Sequence, residues 1–170
     1  GCSMMEAALL QLAREDQAFS FTCVTHEDQH EGLRQRLEPA LGQRLRLLPW
    51  QNRDLLSGLY RAHDFLLFPS RYEGFGKVAH EAMACGLAIV GTNVGVLTIR
   101  GRHGENALLC PAGDAAGFLA NTRRAIDQPL LADTLGRSAR AVVLGDTWAN
   151  TANQCMDFFH KLQAMPPTSA

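Results

Sequence analysis

The stretch that decides the fold is EGFGKVAHEAMACG, residues 73 to 86, which follows the apolar run DFLLFPS, residues 64 to 70. An apolar run of this kind is typical of a buried parallel strand, and the residues after the second glycine predict a helix. Gly74 and Gly76 flank Phe75 between the strand and the helix, where glycine lets the backbone approach a ligand closely. Because the free amide groups and the positive dipole end of the helix face the same place, this loop predicts an anion site.

Two carboxylates frame this junction. Glu73 opens the loop, and Glu81 follows within the predicted helix. A carboxylate can accept hydrogen bonds from two hydroxyl groups at once. The two glutamates are therefore suited to bind sugar hydroxyls on either side of a bound phosphate. The ligand predicted from the residues is therefore a nucleotide sugar. A hydrolase with paired carboxylates is the alternative, and the glycines between the two glutamates favour backbone contact with an anion instead.

Length and composition bound the class of protein. The chain has 170 residues, of which 46% are hydrophobic and 19% charged, which predicts one globular domain spanning residues 1 to 170. The formal net charge of −1 argues against a broad basic surface for nucleic acid. The five cysteines include no Cys-x-x-Cys pair, so we expect a reduced, cytoplasmic compartment. We find neither a signal peptide nor an apolar run of the roughly 20 residues that a membrane-spanning helix needs.

Helix and strand patterns alternate along the chain. This alternation predicts a Rossmann-like, doubly wound parallel sheet, with C-terminal helices packed on it and ligands bound at the carboxyl edge. The helix from 51 to 63 is expected to begin at Asn52 and to bury Leu55, Leu56, Leu59 and Tyr60. The tail from 165 to 170 is expected to be frayed. The other predicted helices are 4–14, 26–41, 77–84, 114–126, 130–144 and 147–162, and the strands are 19–25, 45–48, 64–70, 87–91 and 107–110.

The motifs in their order resemble a known family. PSRYEGFGKVAHEAMACG, then LAIVGTNVG and GENALLCPAGD, is similar to the C-terminal, donor-binding domain of retaining glycosyltransferases of the GT-B fold, the group 1 (family 4) class. That family has Glu, seven residues and Glu, preceded by Pro-Ser and followed by Glu-Ala-Met-Ala-x-Gly. The resemblance runs with gaps from about residue 4 to about residue 160. It implies transfer of a hexose from a UDP- or GDP-sugar to a carbohydrate or lipid-linked acceptor.

The resemblance also implies roles for particular residues. Glu73 is expected to be catalytic, beside the donor sugar, where its charge stabilises an oxocarbenium-like transition state. Glu81 is expected to bind the ribose hydroxyls. The remaining donor contacts are expected from Gly74, Phe75, Gly76, Lys77 and Val78, and the nucleotide base is expected at Pro49, Trp50 and Gln51. No metal and no other cofactor is implied, because backbone dipoles and positive side chains neutralise the leaving diphosphate.

Several of these residues have plainer interpretations. Core packing or partial burial is at least as good a role for Trp50, and Lys77 either adds charge near the phosphates or reaches into water. Phe75 is expected to fix the loop by packing, and Trp148 is expected to pack at the start of the last helix. The other candidates are Arg53 and Arg71 for phosphate or base contacts, and His63, His80 and His103, for which we expect structural or surface roles.

The chain departs from the family pattern at three places. The family's opening strand, with the Arg and Lys loop that grips the diphosphate, falls before Gly1. Val96 and Ile99 stand where the family commonly has Gly-Gly and then Glu. The acceptor domain, N-terminal in the family, is also absent from these 170 residues, so we expect this polypeptide alone to bind donor weakly and to transfer little sugar.

These departures keep two alternatives open. One is a non-catalytic nucleotide-sugar-binding or regulatory module, and the other is a related enzyme such as an epimerase. The expected location is the cytoplasm, with contact at the inner face of a membrane through the rest of the protein.

Overall fold

The computed structural model describes residues 2 to 164, so the tail from 165 to 170 lies outside the described residues. Within that range the chain is an α/β structure in which short parallel strands alternate with helices, as the sequence predicts. The helices are α1 (Cys2–Arg14), α2 (His30–Leu41), α3 (Arg53–Arg61), α4 (Lys77–Ala84), α5 (Val96–Arg100), α6 (Ala115–Asp127), α7 (Pro129–Val143) and α8 (Trp148–Ala164). The strands are β1 (Phe21–Val24), β2 (Leu45–Leu48), β3 (Phe65–Phe68), β4 (Ala88–Thr92) and β5 (Leu108–Cys110).

The strands pair as two parallel sheets, whereas the alternation alone predicts one. β1 pairs with β2, and β3, β4 and β5 form a three-stranded sheet with β4 in the middle. The sequence patterns therefore indicate parallel strands, and the structure adds which of them pair.

Helices cover both faces of the three-stranded sheet. The strand β4 is buried at every position, and its side chains alternate between the faces. Ile89 packs in a cluster with Met83 of α4, while Val90 packs on the other side with Phe118 of α6. This two-sided packing confirms the doubly wound architecture and places the carboxyl ends of β3 and β4 side by side.

Most helix boundaries agree with the sequence patterns, and two predictions of burial are wrong. The Asn52 side chain accepts a hydrogen bond from the Leu55 amide at 3.0 Å, so it caps α3 as predicted. Leu55 itself is 58% exposed, because it lies in the first turn of α3 on the side away from the buried Tyr60. Trp148 is 89% exposed, because α8 buries none of its side chains against the rest of residues 2 to 164.

No helix within residues 2 to 164 has the length and apolar character needed to cross a membrane.

Candidate functional site

The glycine loop, residues 74 to 76, joins the carboxyl end of β3 to the start of α4. Gly76 precedes α4 with φ of +85°, a left-handed conformation that favours glycine. A Cβ at Gly76 would also lie 3.3 Å from the Phe68 ring. Gly74 has no positive φ, and a Cβ there would meet no atom within 4 Å. The fold therefore requires glycine at 76 but not at 74.

The first turn of α4 has no side-chain cap. The helices α3 and α6 are preceded by the N-cap residues Asn52 and Asp114, whose side chains accept hydrogen bonds from backbone amides. At the start of α4, as at the starts of α2, α5 and α7, no side chain within residues 2 to 164 accepts such a bond, and the first turn of α4 contains no acidic residue. The first residue is instead the exposed Lys77, whose charge lies at the positive end of the helix dipole. Free amides and an added cation are the features that attract an anion.

Glu73 is held in place by a short chain of hydrogen bonds. The hydroxyl of Thr92, fully buried at the end of β4, donates to the Ser70 carbonyl. The Ser70 hydroxyl donates in turn to Oε1 of Glu73 at 2.8 Å. One carboxylate oxygen is thus fixed from the sheet, and the second oxygen accepts no hydrogen bond from residues 2 to 164.

Glu81 lies one turn along α4 from Lys77, on the exposed side of the helix with Val78. Its position relative to α3 is indicated by Tyr60. Burial raises the pKa of Tyr60 to about 12, and the charge of Glu81 adds to the increase. The Glu81 carboxylate is therefore close enough to α3 for its charge to act on Tyr60. Glu73 lies beside the start of α5, because a Cβ at Gly95 would approach Glu73 Cβ to 2.9 Å.

The raised pKa of Tyr60 predicts a loss of stability at alkaline pH. The unfolded chain ionises this hydroxyl near its ordinary pKa of 10.0, whereas the folded chain holds the proton up to about 12. The free energy of unfolding should therefore fall as the pH rises from 10 to 12. Denaturant unfolding across that window should show a smaller fall in Tyr60→Phe. An identical fall in both proteins would contradict the assignment to Tyr60.

The glycine loop is also tied to α5, a short helix that the sequence patterns do not predict. The Val96 amide donates to the Phe75 carbonyl at 2.6 Å. The Phe75 ring is 49% exposed and packs against His80 at 5.4 Å between centroids, so the expected packing role is only partly realised. Val96 is buried, whereas Ile99 is 65% exposed. Because the Val96 amide donates its hydrogen bond to the loop, this amide is not free to bind a ligand.

The corner predicted to hold the nucleotide base follows β2. Trp50 is 71% exposed, which excludes the alternative of core packing, and its ring stacks on His26 at 5.8 Å between centroids. The Gln51 side chain donates to the Pro49 carbonyl at 2.7 Å, which closes the turn on itself. His26 follows β1 and was not among the sequence candidates. One face of the indole is left open to solvent for stacking.

Comparison with known proteins decides the family. The model of the family described as glycosyl transferases group 1 matches residues 2 to 128, which is more than half of the chain. The chain belongs to the group 1 glycosyltransferases. This confirms the family resemblance that the motifs carry.

Curated relatives agree with that assignment. D-inositol 3-phosphate glycosyltransferase of Rhodococcus opacus (strain B4) is 31% identical over 119 residues, which cover 70% of this chain and 27% of the relative. The enzyme of the same name from Acidothermus cellulolyticus is 36% identical over 117 residues, covering 69% and 26%. The chain thus spans about a quarter of the length of these group 1 glycosyltransferases.

Solved structures share the fold. Sucrose-phosphate synthase of Thermosynechococcus elongatus matches with a TM-score of 0.77 and 30% identity over 95% of this chain and 42% of that one. HepE of Anabaena, solved in complex with UDP-glucose, matches with a TM-score of 0.70 and 20% identity over 92% of this chain and 44% of that one. These likenesses confirm the predicted GT-B fold class.

The remaining polar candidates of this group 1 glycosyltransferase separate into two kinds. His63 contacts the Leu59 carbonyl and the Thr22 hydroxyl, and His103 accepts a hydrogen bond from the Leu109 amide, so both have the structural roles expected of them. Arg53 and Arg71 are exposed, and their contacts with phosphate or base stay predictions.

Besides α5 and His26, sequence reasoning missed two further features of the site. One is Thr92, which carries no signal beyond its place at the end of a strand. The other is the partner of His80. Its Nε2 lies 3.1 Å from Oδ2 of Asp146, a residue 66 positions away in sequence. Motif spacing has no means of indicating a contact at that separation.

Proposed function

We propose that this chain is the donor-binding part of a retaining glycosyltransferase, which moves a hexose from a nucleotide-diphosphate sugar to a carbohydrate or lipid-linked acceptor. The observation that carries the proposal is the uncapped start of α4. The first turn of α4 has free amide groups and carries Lys77, Glu73 is held just before it by Ser70, and Glu81 follows one turn further along the helix. The family assignment supports the same reading.

The chemistry follows from the charges around the loop. The amides of the glycine loop and of the first turn of α4 stabilise the negative diphosphate, and Lys77 adds a positive charge. The free carboxylate oxygen of Glu73 accepts a hydrogen bond from a hydroxyl of the donor sugar. The negative charge of Glu73 stabilises the positive charge that develops on the sugar carbon as the diphosphate leaves. Glu81 accepts hydrogen bonds from the ribose hydroxyls. The exposed face of Trp50 stacks on the nucleotide base. In this scheme the charge of the leaving group is neutralised without a metal ion.

The relatives support the class of donor but not its identity. The HepE structure contains UDP-glucose, whereas the names of the inositol and sucrose enzymes mention a phosphorylated polyol and a phosphorylated sugar but no donor. We therefore propose a UDP- or GDP-linked hexose as the donor. The acceptor is proposed to bind a separate domain, in a protein that acts in the cytoplasm or at the inner face of a membrane.

One observation favours a second candidate, a module that binds nucleotide sugar without transferring it. Val96 and Ile99 replace residues typical of the family, and the structure uses the Val96 amide to hold Phe75. The edge near the sugar is therefore less able to contact a ligand. This module would bind the nucleotide while Glu73 contributes little.

Titration with a panel of UDP-, GDP- and ADP-sugars separates these candidates. We expect weak binding, with a dissociation constant of about 1 mM, for one nucleotide class. Glu81→Gln should weaken binding of the sugar nucleotide and of the free nucleotide diphosphate alike, because it contacts the ribose. Glu73→Gln should weaken binding of the sugar nucleotide about tenfold and leave the free diphosphate unaffected.

The control is Glu31→Gln, which changes a carboxylate on α2 whose recorded partner is Gln35. Sugar-nucleotide binding that ignores Glu73→Gln but responds to Glu81→Gln would favour the non-catalytic module. Binding that ignores both changes would contradict the proposed site. Analysis of the anomer produced by the intact natural protein tests retention.

A further inference from the structure

A carboxylate outside the family motif joins the two helices that support the glycine loop. Asp146 lies in the turn between α7 and α8. It accepts hydrogen bonds from Arg100 at 2.6 Å from Nη2 and 3.2 Å from Nε, and its Oδ2 lies 3.1 Å from Nε2 of His80. Arg100 ends α5, and His80 lies in the first turns of α4. We call Asp146, Arg100 and His80 the Asp146 cluster.

The helices that carry the two partners of Asp146 both contact Phe75 of the glycine loop. The His80 ring packs against the Phe75 ring at 5.4 Å between centroids. The helix that Arg100 ends begins at Val96, whose amide donates to the Phe75 carbonyl at 2.6 Å. Phe75 is thus held at its ring by α4 and at its backbone by α5. Asp146 fixes these two helices relative to each other.

We propose that Asp146 is a positioning residue for the glycine loop. By joining α4 to α5 it holds Phe75 and keeps the amides on either side in the arrangement that binds a diphosphate. The claim about the ligand rests on the proposed function, whereas the claim about the loop conformation does not.

The loop needs such support because of its composition. Two glycines surround Phe75, and glycine has the greatest backbone freedom of any residue. The bidentate pair with Arg100 has a defined geometry, which fixes orientation as well as distance. The side chains of Arg100 and Asp146 are 41% and 26% exposed, so solvent partly screens their ion pair and its loss should lower global stability only slightly. Loosening should therefore be local to the loop and α5.

Amide hydrogen exchange of the chain without ligand tests the conformational claim. In Asp146→Asn and in Arg100→Gln, we expect the Val96 amide to exchange about tenfold faster, because its acceptor Phe75 is less well held. The Leu135 amide in the middle of α7 should be unchanged, which separates local loosening from global destabilisation. Asp133→Asn is the matched control, because it breaks a 2.9 Å ion pair with Arg137 that lies within α7. Unchanged Val96 exchange in both cluster variants would overturn the proposal.

Affinity for UDP-glucose tests the functional claim. We expect Asp146→Asn to weaken binding about fivefold and Asp133→Asn to leave it unchanged. Faster Val96 exchange with unaltered affinity would overturn the positioning role. If the unmodified chain binds neither UDP-glucose nor another sugar nucleotide, the proposed function fails, and the exchange result still decides whether Asp146 holds the loop.

Discussion

Gly95→Ala is expected to displace the glycine loop and to weaken sugar-nucleotide binding by more than tenfold. A Cβ at Gly95 would lie 2.5 Å from the Phe75 carbonyl oxygen and 2.9 Å from Glu73 Cβ, so it pushes against the loop and against the proposed catalytic residue together. Gly95 also has φ of +57° and ψ of −134°, which a residue with a side chain rarely adopts. Strain and steric contact together should lower the free energy of unfolding by about 3 kcal/mol.

Gly42→Ala provides a matched control for this variant. Gly42 has φ of 52° and ψ of −128°, nearly the backbone conformation of Gly95, yet a Cβ there would meet no atom within 4 Å. In Gly42→Ala the free energy of unfolding should therefore fall only by the contribution of backbone strain, about 1 to 2 kcal/mol. This variant should bind the nucleotide sugar normally. Denaturant unfolding and ligand titration of both variants measure the difference. Equal affinity in the two would show that Gly95 does not shape the loop.

Gly136→Ala is expected to cause the largest loss of stability in the helical part of the structure. Gly136 lies in α7 where that helix crosses the turn between α4 and β4. A Cβ there would overlap the backbone carbonyl of Gly86 and lie 3.4 Å from the Ala88 amide nitrogen, and backbone atoms have no rotamer to move away. We expect the free energy of unfolding to fall by about 3 kcal/mol or more, a large part of the stability of an ordinary domain.

The control is Gly58→Ala, another glycine within a helix. A Cβ at Gly58 meets no atom within 4 Å, so alanine should stabilise α3 by about 0.5 to 1 kcal/mol. Thermal and denaturant unfolding of the two variants should therefore shift in opposite directions. A neutral result for Gly136→Ala would mean that α7 moves away from the sheet at little cost.

The centre of the fold could be predicted from the sequence because its signals are local. The apolar run before the loop and the helical pattern after it place β3 and α4 close to their observed limits. Gly76 has the left-handed conformation that precedes the helix, whereas Gly74, for which the sequence predicts the same role, does not. Asn52 likewise caps its helix through a residue three positions away, so short-range chemistry is enough to identify it.

Features that depend on distant partners were not predicted. The alternation of elements gives a parallel sheet but not which edges meet, so the division into two sheets appeared only in the structure. His80 and Asp146 are far apart in sequence, and nothing in the sequence around either residue predicts that their side chains contact each other. Leu55 was expected to be buried from the pattern of its helix and Trp148 to pack from the family resemblance, but the burial of a large apolar side chain depends on what packs on its helix.

Titrating the isotopically labelled chain with UDP-glucose, and following every backbone amide, tests most directly whether the carboxyl edge at α4 is the ligand site. The largest shifts are expected at residues 74 to 78, at the uncapped start of that helix, and they should be smaller at equal ligand concentration in Glu73→Gln. Shifts concentrated elsewhere, for example on the groove between α1 and α6, with an unaffected loop, would contradict the proposed site and the function built on it.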